Sequence, residues 1–137
     1  MSAPSRITRA AELESLADIR AFLREDLIAR GVERAVADDM VLAVEEAAMN
    51  VITHGYQGMD PGSLMVDVST TPAEIRIEIT DFGRPFEPID VPAPDVQSIL
   101  DGGPEKGFGL FLIHRLADGV DYRSDESGNR LRLTKRR

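Results

Sequence analysis

Glu45-Glu46-Ala47-Ala48-Met49-Asn50-Val51-Ile52-Thr53-His54-Gly55-Tyr56, residues 45–56, is the stretch on which the reading of this chain turns. Together with the residues before it, it predicts a helix over about 33–54. Val36, Met40, Ala43, Val44, Ala47, Ala48 and Val51 keep one apolar face. At about 100° per residue, Asp39, Glu46, Asn50 and Thr53 fall together on the opposite side. That side is polar but short-chained, unlike the Lys/Glu-rich exterior of a solvated helix. Glu46 and Asn50, four residues apart, are neighbours on it. A carboxylate and an amide oxygen so placed suit a hard cation such as Mg²⁺, which takes few protein oxygens plus waters and phosphates. Solvated helix faces carry the same spacing, so the pair alone leaves both readings open. Gly55 ends the helix, and Gly58, Pro61 and Gly62 make a turn region.

On the N-terminal side, Leu13, Leu16, Ile19, Leu23 and Leu27 predict a helix over about 10–30, with Gly31 at the position expected of a C′ glycine. On the C-terminal side, Leu64, Val66 and Val68 alternate with Met65, Asp67 and Ser69. Ile75, Ile77 and Ile79 alternate with Arg76, Glu78 and Thr80. Two strands joined as a hairpin around Thr71-Pro72-Ala73 follow. Residues 81–106 are irregular and rich in proline and glycine, as functional loops are. A third helix is expected to start near Gly107. Strands near Val120–Arg123 and Arg130–Thr134, with a turn at Ser127-Gly128-Asn129, end the chain. This order predicts an α/β two-layer sandwich: a mixed, mostly antiparallel sheet covered on one face by helices.

The 137 residues fit a single domain spanning 1–137, with a core over about 10–135. There is no cysteine, which excludes disulfides and thiolate metal sites and fits a cytoplasmic protein. The net charge of −8 argues against nucleic-acid backbone binding as the main task. No apolar run approaches the ~20 residues that span a bilayer.

Two further segments carry chemistry. In Thr80-Asp81-Phe82-Gly83-Arg84-Pro85-Phe86, Asp81 ends a strand, where a buried carboxylate can accept from an adenine amino group. Gly83 permits a close approach of backbone to a flat base. In Lys106-Gly107-Phe108-Gly109-Leu110-Phe111-Leu112-Ile113, two glycines precede a helix and leave N–H groups free for phosphate. This is neither a P-loop nor a convincing Rossmann fingerprint, since a long loop rather than a strand comes before it.

In order and spacing, the three segments resemble the nucleotide-binding boxes of the gyrase, heat-shock chaperone, histidine kinase and MutL superfamily. Within it they are most similar to the small anti-sigma-factor serine kinases. Glu46-x-x-x-Asn50 running into His54-Gly55-Tyr56 resembles their asparagine box, Asp81–Phe86 their first glycine box, and Gly107-Phe108-Gly109-Leu110 their second. Gly128-Asn129-Arg130-Leu131-Arg132-Leu133 is similar to their last strand. Pro85 stands where the wider superfamily has a second glycine, which narrows the subfamily.

The resemblance implies a Bergerat-type ATP-binding fold and a protein serine/threonine kinase that takes ATP and Mg²⁺. Asn50 would bind the metal, and Asp81 would read adenine. Gly83, Lys106, Gly107, Phe108, Gly109 and Leu110 would line the nucleotide, with residues 87–106 as a lid over the phosphates. Glu46 would be the general base toward a partner's serine or threonine. The implied partner is a STAS-type anti-sigma-factor antagonist, with a sigma factor as a second partner and a homodimer as an allowed assembly. A module that holds ATP and clamps a partner without transfer, and a detached histidine-kinase ATPase domain, are the alternatives.

Overall fold

The chain's structure, a computed structural model, describes residues 3–85 and 105–137, with backbone alone over 105–110. Strand β1 (Ser5–Ala10) leads into helices α1 (Ser15–Ala29) and α2 (Arg34–Asn50), and α2 continues as a π-helical turn, Val51–Gly55. Strands β2 (Ser63–Thr70) and β3 (Glu74–Asp81) follow, then helix α3 (Glu105–Leu116) and strands β4 (Gly119–Asp125) and β5 (Gly128–Arg136). The sheet order is β1-β2-β3-β5-β4, and each of the four pairings is antiparallel. This is the expected α/β sandwich.

Period-two alternation decides which face of the sheet is covered. Leu64, Val66 and Val68 of β2, Ile75, Ile77 and Ile79 of β3, and Leu131 and Leu133 of β5 are all buried. They meet Leu16, Ile19, Leu23 and Leu27 of α1 and Met40, Ala43, Val44, Ala47 and Ala48 of α2 in one core. Helix α2 packs against both α1 and α3 and is the central element of the helical layer. Truncating a fully buried side chain such as Leu23 or Leu27 to alanine costs about 2–5 kcal/mol. The other face of the sheet is polar, with Arg6 on Asp67 at 2.6 Å and Arg132 on Glu78 at 3.2 Å.

Gly31 does end α1 in the left-handed region, at φ +79°. Its N–H donates to the Ile28 carbonyl at 2.9 Å, and the Val32 N–H donates to the Leu27 carbonyl at 3.1 Å. These are the two bonds of a Schellman cap, closed by the buried pair Val32 and Leu27.

Three features differ from the sequence reading. The sheet begins at Ser5, before the expected core, because β1 pairs along β2 from Ser5↔Val68 to Ala10↔Ser63. Helix α1 starts only at Ser15, since the chain must first turn out of β1, and Leu13 is left 55% exposed. The final stretch of the expected 33–54 helix is π-helical, and its wider turn rotates Thr53 out of the predicted polar stripe. Thr53 is exposed, and its hydroxyl returns to the Met49 carbonyl at 2.8 Å.

Candidate functional site

Where α2 runs out against the end of β3, a cleft of about 410 Å³, part of it open to solvent, is lined by both elements. Ala47, Val51, Ile79, Ile113, Tyr122 and Leu131 make its walls largely apolar. Asn50, Asp81 and Arg84 supply the polar side chains. An apolar slot with a few convergent polar groups suits a flat, partly polar ligand.

Asp81 is the last residue of β3 and is only 6% exposed. Its Oδ1 accepts from the Gly83 N–H and from the Asn129 amide, both at 2.9 Å. Among the described residues both bonds end on Oδ1, which leaves Oδ2 as the acceptor for a ligand's N–H. Burial pushes the Asp81 carboxyl above its usual range, and the Asn129 and Gly83 donors pull it back.

That shift has a stability consequence. A carboxyl whose pKa is higher in the folded than in the unfolded chain contributes stability below the unfolded pKa. The contribution is lost as pH rises through the folded pKa. Asp81→Asn keeps the shape and removes the charge. Its melting temperature at pH 7 is expected to equal or exceed that of wild type, with the gap narrowing as pH falls into the aspartate range. Calorimetric melts at pH 7 and pH 4 check this, and a variant clearly less stable at pH 7 would contradict it.

Asn50 closes α2 and is 8% exposed. Its amide nitrogen is buried and has no hydrogen-bond partner among the described residues. Such an orphan costs about 1–3 kcal/mol and calls for a ligand or water to complete it. Turned over, the same amide offers a carbonyl oxygen, the ligand type a hard cation takes. Glu46 lies one turn earlier on α2 and is half-buried. Burial, then the charge of neighbouring Glu45, raises its carboxyl above the usual glutamate range. Glu46 is not among the residues lining the cleft, so it stands beside the site rather than in its wall.

Gly83 has a more local reason than close approach to a base. A Cβ there would overlap the Gly55 carbonyl oxygen and lie 2.6 Å from the carbonyl carbon. The turn after β3 is thus pressed onto the π-helical end of α2, and the Arg84 N–H donates to that same carbonyl at 2.6 Å. Tyr56 braces the contact from below. Its hydroxyl accepts from the Phe82 N–H at 2.9 Å and donates to the Ser63 carbonyl at 3.0 Å. Neither Tyr56 nor Asn129 was singled out as a site residue from the sequence. Asn129 had a legible signal: it is a polar residue on the inward face of an alternating strand, in step with Leu131 and Leu133.

The third segment is placed only in part. Helix α3 begins at Glu105, two residues before the expected start, so Gly107 lies in its first turn and Gly109 just beyond. The N–H groups of a helix's first turn have no intrahelical acceptor, so a glycine there still exposes backbone donors. The side chains of Lys106, Phe108 and Leu110 lie outside the described residues, as does the expected lid up to residue 104. Among the described residues no three His, Cys, Asp or Glu side chains cluster as a metal site. None of the described helices is long and apolar enough to cross a membrane.

The histidine kinase-like ATPase domain family matches residues 9–135. The chain is similar to the anti-sigma F factor of Clostridium botulinum (strain Eklund 17B / Type B), 31% identical over 99 residues, which covers 72% of this chain and 69% of that protein. It is also similar to the serine-protein kinase RsbW of Halalkalibacterium halodurans, 34% identical over 107 residues, covering 72% of this chain and 61% of that protein. Among solved structures, that of the RsbU and RsbW domains of Rv1364c from Mycobacterium tuberculosis superposes with a TM-score of 0.71 at 23% identity. It covers 98% of this chain, which spans about a third (32%) of the other and shares its fold.

Proposed function

The chain belongs to the histidine kinase-like ATPase domain family and is related to the anti-sigma-factor kinases, and from that premise we propose that it binds Mg·ATP in the α2–β3 cleft and phosphorylates a partner protein. One observation carries the reading. A buried carboxylate and a buried amide, each with a polar atom that has no partner among the described residues, line the same apolar slot. Asp81 Oδ2 would accept from the adenine 6-amino group. Asn50 would hold Mg²⁺, whose positive charge offsets that of the phosphates. The first turn of α3, with Gly107, would offer its free N–H groups to phosphate, with Gly109 just beyond it and Lys106, Phe108 and Leu110 beside them. Gly83 would set the turn that carries the base edge, and residues 87–104 would close over the phosphates, with Lys106 of the expected lid standing in the first turn of α3.

Glu46 would act as general base. As the partner's hydroxyl oxygen bonds to the γ-phosphorus, the bond from that phosphorus to the bridging oxygen breaks and ADP leaves. The hydroxyl proton passes to the Glu46 carboxylate. A carboxyl already raised by burial is better matched to that task near neutral pH than an ordinary one. The relatives' names, an anti-sigma F factor and a serine-protein kinase, support a partner-switching role. The substrate proposed is a serine or threonine of a STAS-type antagonist, with a sigma factor as the competing partner in the cytoplasm and the whole of 1–137 acting as one ATPase-like domain.

A second reading, a module that holds ATP and clamps a partner without transfer, is favoured by the position of Glu46 outside the cleft lining. Incubating the chain with labelled ATP, Mg²⁺ and STAS proteins encoded near it separates the two. Label on a mapped serine or threonine supports the kinase. ATP binding without label supports the clamp, and absence of ATP binding overturns both.

A further inference from the structure

We propose that Asn129 is a positioning residue for nucleotide selection: it holds Asp81 with a single oxygen turned to the cleft, and so makes the site select a purine that carries a 6-amino group. The inference rests on the reading of the cleft as a nucleotide site and deepens it.

Asn129 occupies the one place where three strands meet at the end of the sheet beside the cleft. It pairs directly with Asp81 on β3 and with Ser124 on β4. It is 3% exposed, in a register otherwise filled by Leu131 and Leu133. A polar residue there is expensive unless its amide is satisfied, and both ends of this one are. Nδ2 donates to Asp81 Oδ1 at 2.9 Å and to the Gly83 carbonyl at 2.8 Å. Its Oδ1 accepts from the Ser124 hydroxyl at 2.6 Å. These partners fix which way the amide faces. Turned over, its oxygen would oppose a carboxylate and a carbonyl, both acceptors, while its nitrogen faced Ser124.

The consequence falls on Asp81. Oδ1 is taken up by two N–H donors, from Asn129 and from Gly83. Rotating the carboxylate would break both bonds in a buried setting, so Oδ2 stays the acceptor. An amino group at purine C6 satisfies it. A hydrogen at that position leaves it unpaired, and the loss of a hydrogen bond to a charged group is worth about 1.5–3 kcal/mol. Sites built around such a bond reject analogues that lack it. Without Asn129, only the Gly83 N–H would hold the carboxylate, which could then turn away. The same contact lies between Asp81 and Gly83, so it also fixes the turn whose backbone abuts Gly55.

Titration calorimetry of the full chain with Mg·ATP and with Mg·purine riboside triphosphate, which is ATP without the 6-amino group, tests this. Wild type is expected to prefer ATP by roughly 10–100-fold. Asn129→Ala is expected to bring that ratio within about threefold of unity, with affinity for the purine riboside compound nearly unchanged. A merely structural loss would weaken both ligands equally and keep the ratio, which would overturn the role of Asn129. Ser124 is exposed, so Ser124→Ala is safe for folding. It removes the donor to Asn129 Oδ1 but leaves both acceptors that fix the amide, so the ratio is expected to stay within about threefold of wild type. Should Asn129→Ala fail to fold, Asn129→Leu, which suits the register of Leu131 and Leu133 and cannot donate to Asp81, is the second variant, and an unchanged ratio in it would equally overturn the proposal. Asp81→Asn is the control for the nucleotide reading itself. If wild type binds neither compound, or Asp81→Asn keeps the full wild-type preference, that reading fails. If Asp81→Asn loses the preference and Asn129→Ala keeps it, only the role of Asn129 fails.

Discussion

Glu46→Gln is expected to leave Mg·ATP affinity within about threefold of wild type and to slow phosphoryl transfer to the partner by roughly 10²–10⁴-fold, the usual worth of a general base. The amide keeps the size of the side chain, and Glu46 is not among the residues that line the cleft, so nucleotide binding has little reason to change. What the amide lacks is a lone pair basic enough to take a proton near neutral pH. The pH profile gives an independent check. Burial and Glu45 hold the Glu46 carboxyl above the usual glutamate range. The base form therefore fills as pH rises through that raised value, and the wild-type single-turnover rate should climb over an acid limb displaced upward from an ordinary glutamate. The variant's residual rate should lack that limb. Single-turnover transfer by Glu46→Gln at the wild-type rate would remove Glu46 from the chemistry and favour a neighbouring group or water. Loss of ATP affinity equal to the loss of rate would instead make Glu46 a binding residue.

The parts of the fold that repeat were legible in the residues, and those that occur once were not. Helix α1 and strands β2 and β3 each place three or more apolar side chains at their period and stand where expected, and β5 places two, Leu131 and Leu133, though it begins already at Gly128, where a turn was expected. Strand β1 buries only Ile7, so nothing in its sequence alternates, and it is found only by its pairing with β2. The π-turn has no compositional mark either. Val51–Gly55 looks like more helix until the backbone shows that it widens to bring Gly55 against Gly83. For the candidate site, Asn50 and Asp81 were legible as candidates because each sits in a short motif with a spacing, and both line one cleft. Asn129 acts through cross-strand register, with Asp81 48 residues away in sequence, and that relation exists only once β3 and β5 are paired. The reason Gly83 has no side chain was likewise hidden, because the group it avoids is the backbone of a distant glycine.

Asn50→Ala is expected to weaken Mg²⁺-dependent ATP binding by roughly 10²–10³-fold, because a metal ion bridging protein and phosphates supplies several kcal/mol of charge stabilisation. With the metal chelated, wild type and variant should bind ATP with similar, low affinity. The fold should respond less than it does to truncation of an ordinary buried residue. A buried side chain that packs and pairs well lowers stability when cut back to alanine. The Asn50 amide nitrogen, by contrast, is buried without a partner among the described residues, so its removal relieves a desolvation penalty while the lost contacts act against stability. The two effects are of similar size, and the variant's unfolding free energy without nucleotide should stay within about 1 kcal/mol of wild type. ATP with Mg²⁺ should then stabilise wild type strongly and the variant little, since stabilisation by a ligand follows its concentration relative to the dissociation constant. Melting curves of both proteins, with and without Mg·ATP, and with ATP plus chelator, resolve these terms together. A variant that loses stability without ligand but keeps its ligand-induced gain would make Asn50 a structural residue. A gain that is equal with and without metal in wild type would take the metal away from this site altogether.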